Sequence, residues 1–274
     1  MARRRRRRAV HRRPHPRSEL SQPPRIGILS ALQAEQQLLL QKLFKPRPLQ
    51  LHGQRSYHRG RLFGHDAVLV LSGIGKVAAA TSATSLIAEF GCEVVLFTGT
   101  AGGLGEGVAI GDIVVAGELL QHDLDASPLF PRFEVPLSGR SRFAADAGWS
   151  ARLQRGAEAA IDALLADEAG RGRLGALGIE RPRVHRGLLL SGDRFVNGPQ
   201  QAHELRALLP DALAVDMETA AVAQVCADYR VPFAAVRSVS DRADATAHID
   251  FDRFTTQLAR HYGAAVIGAA LQHP

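Results

Sequence analysis

Two apolar runs in the last quarter of the chain stop abruptly on carboxylates. Within Ala214–Asp244, AVDMETAAVAQVCADYRVPFAAVRSVSDRAD, the short run Leu213–Val215 gives way to Asp216, Met217 and Glu218 before a helical period starts at Thr219. The longer run Pro232–Val239 ends on Ser240 and Asp241. In open α/β sheets ligands bind beyond the carboxyl ends of the strands, so acids left at two such ends are candidates for shared chemistry. A third acid, Glu35, follows the apolar run Arg25–Ser30 and falls in the first turn of the next helix. Proton donors and acceptors held on opposite sides of a substrate contribute about 10²–10⁴-fold each. Environments that push two carboxyl pKa values apart divide the acid and base roles between them. Burial after a strand is expected to keep Asp241 protonated, whereas Glu35, nearer a helix start, is expected to ionise more readily.

Taken singly, each residue has a plainer explanation. Glu35 and Glu218 would complement helix dipoles, Asp241 would cap a turn, Arg237 would pair inside the sheet edge, and Met217 and Phe195 would be core. Their convergence favours chemistry, because Thr100, Ser191, Glu218 and Asp241 all lie just past expected strand ends.

The elements that must position them alternate along the chain. Strands are expected at Arg25–Ser30, Ser56–Arg61, Asp66–Leu71, Glu93–Phe97, Val108–Gly117, Val184–Leu190, Leu213–Val215 and Pro232–Val239. Helices are expected at Ala31–Phe44, Val77–Phe90, Ala144–Ala169, Gln200–Leu208, from Thr219, and at Phe251–Leu271. The Gly73 and Gly75 pair reads as a tight loop permitting close helix–sheet packing, since the Lys-Ser/Thr pair of a phosphate-binding loop is absent. Thr98–Leu104, TGTAGGL, reads as a strand-end glycine loop whose amides can approach a sugar or anion. The stretch up to Pro182 after the long helix reads as a surface connection. Strands alternating with helices and no internal repeat predict one mostly parallel sheet covered on both faces.

At 274 residues and 46% hydrophobic content the chain has enough apolar material for a sizeable core. The formal charge of +7 belongs to the first 24 residues, which carry nine Arg against one Glu and leave about −1 for the remainder. That Arg-rich tail is expected to be disordered, with residues 25–274 forming the domain. Polyanion or nucleic-acid binding is expected at most through the tail. No run of 18 apolar residues suggests a membrane span. Cys92 and Cys226 lack paired spacing and are expected to be buried, reduced thiols of a cytoplasmic protein. His122, Asp123 and Asp125 share one loop without a ligand spacing, so no metal is expected.

The ordered motifs IGILSALQAE, SGIGKVAAA, TGTAGGL, GDIVV, SGDRFVN, VDMETAAVAQVC and VRSVSDRAD resemble those of the methylthioadenosine/S-adenosylhomocysteine nucleosidases of the purine nucleoside phosphorylase superfamily, from about Arg25 to the C-terminus. The resemblance implies a three-layer αβα sandwich around a mixed, mostly parallel central sheet, no metal or organic cofactor, and a homodimer in which a partner loop completes the pocket. It implies Glu35 as the base activating water and Asp241 as the acid protonating the departing adenine. Glu218 would hold the ribose hydroxyls over Met217, while Thr100, Ala101 and Gly102 would form the loop near water and base. Arg237 would position the water, Ser240 would support Asp241, Phe195 would stack on adenine beside the Val196 backbone, and Leu32 and Phe251 would line the 5′-thio side. The chain departs from the pattern at Gln33 and Ala34, where an acid-rich run is usual, and at Asp125–Pro136, DASPLFPRFEVP, where an aromatic loop is usual. A nucleoside phosphorylase would need Arg near TGTAGGL, yet none lies between Arg61 and Arg132. Other purine nucleoside hydrolases, and a nucleoside- or polyanion-binding module, are the remaining readings.

Overall fold

A computed structural model describes residues 23–50, 55–243 and 247–272. Most of the expected tail, residues 1–22, lies outside the described residues. The elements run β1 (Ile26–Ser30), α1 (Gln33–Lys42), β2 (Phe44–Gln50), β3 (Ser56–Leu62), β4 (His65–Leu71), α2 (Lys76–Ala88), β5 (Val94–Gly103), β6 (Ile113–Gln121), β7 (Arg142–Ala144), α3 (Ala147–Ala166) and α4 (Glu168–Ala176). They continue with β8 (Val184–Ser191), α5 (Pro199–Leu208), β9 (Ala212–Asp216), α6 (Thr219–Tyr229), β10 (Phe233–Asp241), α7 (Ala247–Phe254), a π turn (Thr255–Ala259) and α8 (Arg260–Gln272).

Period-two alternation divides the core into layers. In β1, Ile26 and Ile28 pack with Leu69, Leu96, Val236 and the inner faces of α1, α3 and α8. Leu29, pointing the other way, joins Val68, Val70, Val95 and Phe97 against the Ala-rich faces of α2 and α6. Small residues let helices approach closely: a Cβ on Gly156 of α3 would lie 2.6 Å from the Val266 carbonyl of α8. The sheet is therefore covered on both faces, as its alternating elements predict, in a three-layer αβα arrangement.

The ladder order is β10-β6-β8-β9-β5-β1-β4-β3-β2, and β10 also pairs with β5, so the sheet curls back on itself around β5. β5 runs parallel to β1 and β10 and antiparallel to β9 at Gly102 and Gly103. This makes β5 the common wall of the carboxyl ends of β1 and β10. The sheet is thoroughly mixed, because antiparallel ladders join β10 to β6 and β2 to β3 to β4.

Several expectations need correction. Thr98–Gly103 is not a loop but the second half of β5, held in register with Val236–Asp241 of β10. The Phe44–Gln50 strand was not anticipated, since Pro46 and Pro48 argue against a strand; as an edge strand it tolerates missing donors. The stretch after Ala166 contains a second helix, α4, whose N-cap Asp167 accepts from the Gly170 amide. The C-terminal helix is interrupted by the π turn. Among the described residues, no helix is long and apolar enough to cross a membrane.

Helix α6 ends on Arg230, an exposed residue at φ 57°, ψ 40°, where a side chain is disfavoured and glycine is the usual solution. Arg230→Gly is expected to raise stability by about 1 kcal/mol, read as an increase in denaturation midpoint at unchanged m value. A lower midpoint would show that the arginine side chain stabilises the fold by an unseen contact.

Candidate active site

A cavity of about 390 Å³ opens at the carboxyl ends of β1, β5, β9 and β10. The residues given catalytic or binding roles from sequence line it: Leu32, Glu35, Thr100, Ala101, Gly102, Phe195, Val196, Met217, Glu218, Arg237, Ser240, Asp241 and Phe251; Ser191, the other strand-end residue, instead bonds Asp216 behind the wall. Sequence reasoning missed Ala31, Ile74, Arg194, Val215, Asp216 and His248 as lining residues. Asp216 carried a signal, as the acid that ends β9; Ile74 and His248 arrive from distant segments and carried none.

Glu35 is fixed by four donors. One carboxylate oxygen reaches back over the start of α1 to the amides of Ala31 (3.1 Å) and Leu32 (3.0 Å), and the other accepts from the Thr100 amide (3.0 Å) and hydroxyl (3.1 Å). The side chain is 2% exposed overall. Burial pushes its pKa up, outweighing the nearby Arg237 charge and the hydrogen bonds that oppose it. The pull of the helix start toward the ionised form of Glu35 is thus overridden by desolvation.

Asp241 reaches the cavity through a β-bulge. Val239 pairs with Ala101 and Asp241 with Gly102, so Ser240 is an extra residue in β10. A regular strand would send Ser240 and Asp241 to opposite faces; the bulge brings both to the cavity wall. The Asp241 carboxylate, 1% exposed, accepts from the Ser240 hydroxyl (2.8 Å) and from the Ala243 amide (2.8 Å).

Glu218 stands at the N-cap of α6 and accepts from the Gly75 amide at 2.9 Å. Gly73 and Gly75 have φ of 78° and 98°, so this pair serves a tight turn that aims an amide at Glu218, not the close helix–sheet packing expected of it. Burial, together with the neighbouring Asp216 charge, raises the Glu218 pKa to about 7 against the pull of Arg237. The same turn is anchored by Lys76, whose amide donates to Asp193 (2.7 Å) and whose ammonium pairs with Asp123 (2.6 Å). Asp123 is therefore a clamp on the loop bearing Phe195, and Asp125 pairs elsewhere, with Arg132. Among the described residues no group of three His, Cys, Asp or Glu is placed to hold a metal.

Arg237, 1% exposed, lies between these acids. Its guanidinium donates to Asp216 (2.7 Å) and to the Thr219 hydroxyl (2.6 Å), and stacks 3.9 Å above the centroid of Phe97. Space for it exists only because residue 99 is glycine: a Cβ there would stand 2.2 Å from the guanidinium and 3.1 Å from the Glu35 carboxylate. The apolar rim is closed by Phe195 and Phe251, edge to face with centroids 5.9 Å apart. Such a chamber, with buried carboxylates on separate walls and an aromatic side, suits a small polar molecule carrying a flat ring.

Gly99→Ala is expected to destabilise the protein by about 1–3 kcal/mol, because a pinned guanidinium cannot yield to the new methyl. Equilibrium unfolding measures this; an unchanged midpoint would mean that Arg237 is free to move.

Residues 25–272 match the family model described as Phosphorylase superfamily. Among solved structures, the chain is 33% identical to 5′-methylthioadenosine/S-adenosylhomocysteine nucleosidase from Neisseria meningitidis in complex with methylthio-immucillin-A, with a TM-score of 0.79 over 92% of this chain and 100% of that one. It is 30% identical, at a TM-score of 0.79 over 92% of this chain and 96% of that one, to the corresponding nucleosidase from Colwellia psychrerythraea in complex with adenine. A futalosine hydrolase mutant of Helicobacter pylori is 28% identical, at a TM-score of 0.76 over 92% of this chain and 100% of that one. With a family match spanning the whole described domain, and relatives at this identity built on the same sheet, the chain belongs to the phosphorylase superfamily.

Proposed function

We propose that the protein is a purine nucleoside N-glycosidase that hydrolyses 5′-methylthioadenosine, S-adenosylhomocysteine or both, releasing adenine and the thioribose product. The observation that carries this reading is the meeting of Glu35, from the first turn of α1, and Asp241, from the end of β10, in one cavity with Glu218 also on its wall. Similarity to nucleosidases solved with a methylthio-immucillin and with adenine supports it.

In this reading the nucleoside places its purine beside Phe195 and Asp241 and its sugar over Met217 against Glu218. Glu35 takes a proton from water as the water oxygen bonds to the anomeric carbon. The glycosidic C–N bond breaks, its electrons pass to the purine, and Asp241 delivers a proton to a ring nitrogen. Ser240 and the Ala243 amide hold Asp241 in place. Arg237 aligns the water with the sugar, and the Val196 backbone reads the purine edge. Thr100 keeps Glu35 aimed, while Ala101 and Gly102 form the wall beneath the base. Leu32 and Phe251 offer an apolar seat for the 5′-thio group.

Water is favoured over phosphate on electrostatic grounds. Arg237 is already paired with Asp216, and the carboxylate of Glu35 would repel a phosphate dianion at the attacking position. A second reading changes only the 5′ substituent: similarity to futalosine hydrolase, and the polar Arg194 and His248 on the same cavity, favour a nucleoside with a larger 5′ arm. We further assign the activity to the domain 25–274 of a cytoplasmic homodimer. There Leu129, 83% exposed in the Asp125–Pro136 segment, would meet the partner subunit.

Glu35→Gln and Asp241→Asn are each expected to lower kcat by about 10²–10⁴-fold with folding retained. Near-normal turnover by either would remove its assigned role. Incubating methylthioadenosine with and without phosphate should release methylthioribose in both cases; methylthioribose 1-phosphate would identify a phosphorylase. A panel of 5′-substituted adenosines decides between the two readings of the 5′ arm.

Glu218 supplies a pH signature. Its carboxylate must be ionised to accept from two sugar hydroxyls, and burial with the Asp216 charge raises its pKa to about 7. KM is therefore expected to rise as pH falls through about 7, and this limb should disappear in Glu218→Gln. A KM flat between pH 6 and 8 (roughly one unit either side) would exclude Glu218 from sugar binding.

A further inference from the structure

The reaction read above uses Glu35, Glu218, Arg237 and Asp241, and leaves a fourth buried acid without a role. Asp216, at the last position of β9, has a side chain 2% exposed. Both of its oxygens are engaged. One accepts from the Ser191 hydroxyl and from the amides of Glu218 and Thr219, each amide at 3.1 Å. The other accepts from the Arg237 guanidinium at 2.7 Å and from the Thr219 hydroxyl. The Ser191 hydroxyl in turn accepts from the Ala220 amide at 2.8 Å, tying β8 to the same helix start.

These contacts connect two otherwise separate parts of the site. On one side, Asp216 satisfies the first amides of α6 and so sets the turn from which Glu218 projects. On the other, it fixes the charged end of the guanidinium that fills the notch at Gly99 beside Glu35. A buried arginine without this partner would have every reason to swing toward Glu35 or Glu218.

We propose that Asp216 is a positioning residue for the whole site, holding Arg237 in place for the water side and the Glu218 turn in place for the sugar side. The inference rests on the nucleosidase reading for what Glu218 and Arg237 do.

The charged groups that meet here are few and come from every element packed around them. Glu218 feels Asp216 from β9, Arg237 from β10, Glu35 from α1 and the Gly75 amide from the turn before α2. Asp216 also acts on His122, from the segment after β6, whose pKa burial holds below its usual value. Removing the Asp216 charge therefore takes away the larger of two carboxylate repulsions on Glu218 and leaves the attraction of Arg237 opposed only by burial and Glu35.

Asp216→Asn in the full-length protein is the test, with KM and kcat followed against pH on methylthioadenosine. Misplacement of the site is expected to lower kcat/KM by about 10²-fold, and the acid limb of KM should move below the wild-type position at about 7. A merely structural loosening would lower activity without moving that limb. Combining Asp216→Asn with Arg237→Gln should cost little more than the worse single variant, because both disrupt one unit. Thr219→Val, which removes the bridging hydroxyl but keeps the charge, should raise KM less and leave the limb near its wild-type position. If Asp216→Asn does not accumulate as folded protein, Ser191→Ala and Thr219→Val decide: unchanged kinetics in both would overturn the role. A folded Asp216→Asn with wild-type kinetics and an unmoved limb would overturn it directly. Failure of the wild type to cleave any purine nucleoside would instead overturn the reaction assignment, so the two failures are distinguishable.

Discussion

The structure depends on one buried cation. Arg237 points from the centre of β10 into the junction of β5, β9 and β10, with its guanidinium 1% exposed. Removing a charge that far from water costs several kcal/mol unless it is paired and fully hydrogen-bonded. Asp216 and Thr219 supply that pairing, and the Phe97 ring covers the guanidinium face. The constraint spreads outward from there. Residue 99 must be glycine for the side chain to fit, and β9 must end where its aspartate meets β10. Helix α6 must start at Thr219 so that its hydroxyl reaches the pair. A sheet curled back on itself through the β10–β5 ladder is what brings these three strands to one point.

Around that cation the carboxylates fall into two classes by how their burial is compensated. Asp216 is drawn below its ordinary pKa: burial pushes upward, but Arg237 with the Ser191 and Thr219 hydroxyls outweighs it together. Glu35 and Glu218 go the other way, since burial dominates and Arg237, already committed to Asp216, compensates only in part. One guanidinium among three acids cannot neutralise them all, and the geometry decides which acid receives it. The two left undercompensated, Glu35 and Glu218, both line the cavity.

Much of this was legible in the sequence, for physical reasons that differ by residue. Apolar runs ending on Asp216, Asp241 and the Thr100 region mark strand ends, and strand ends in an α/β sheet gather at one crevice. That logic, with the ordered motifs, reached most residues of the cavity wall, though it missed Val215 and Asp216 on β9 as part of it. It failed where position depends on approach rather than on local pattern. Ile74 and His248 enter the wall from the turn before α2 and from α7, and no periodicity announces that meeting. For Glu35, a helix start and burial make opposite demands on a carboxylate, and no local pattern reveals that desolvation outweighs the rest. The glycines of TGTAGG looked like a loop for the same kind of reason. Glycine weakens a strand locally, yet here the missing Cβ atoms are what allow Arg237 and Asp241 to lie against β5.

The bulge at Ser240 shows how a small departure from regular structure serves the same end. Asp241 lies opposite Gly102, where a Cβ would come within 2.9 Å of its carboxylate. Without the extra residue, strand alternation would turn either Ser240 or Asp241 away from the cavity, and the hydroxyl that supports the carboxylate would support nothing. With it, donor and acid share one wall, and the chain then enters Ala243 at φ 53°, a left-handed conformation held by the Ala243 amide donating back to Asp241. A non-glycine residue in that region costs on the order of 1 kcal/mol. The cost is local, and the return is an acid fixed in the same cavity as Glu35, with its hydroxyl and amide donors already in place.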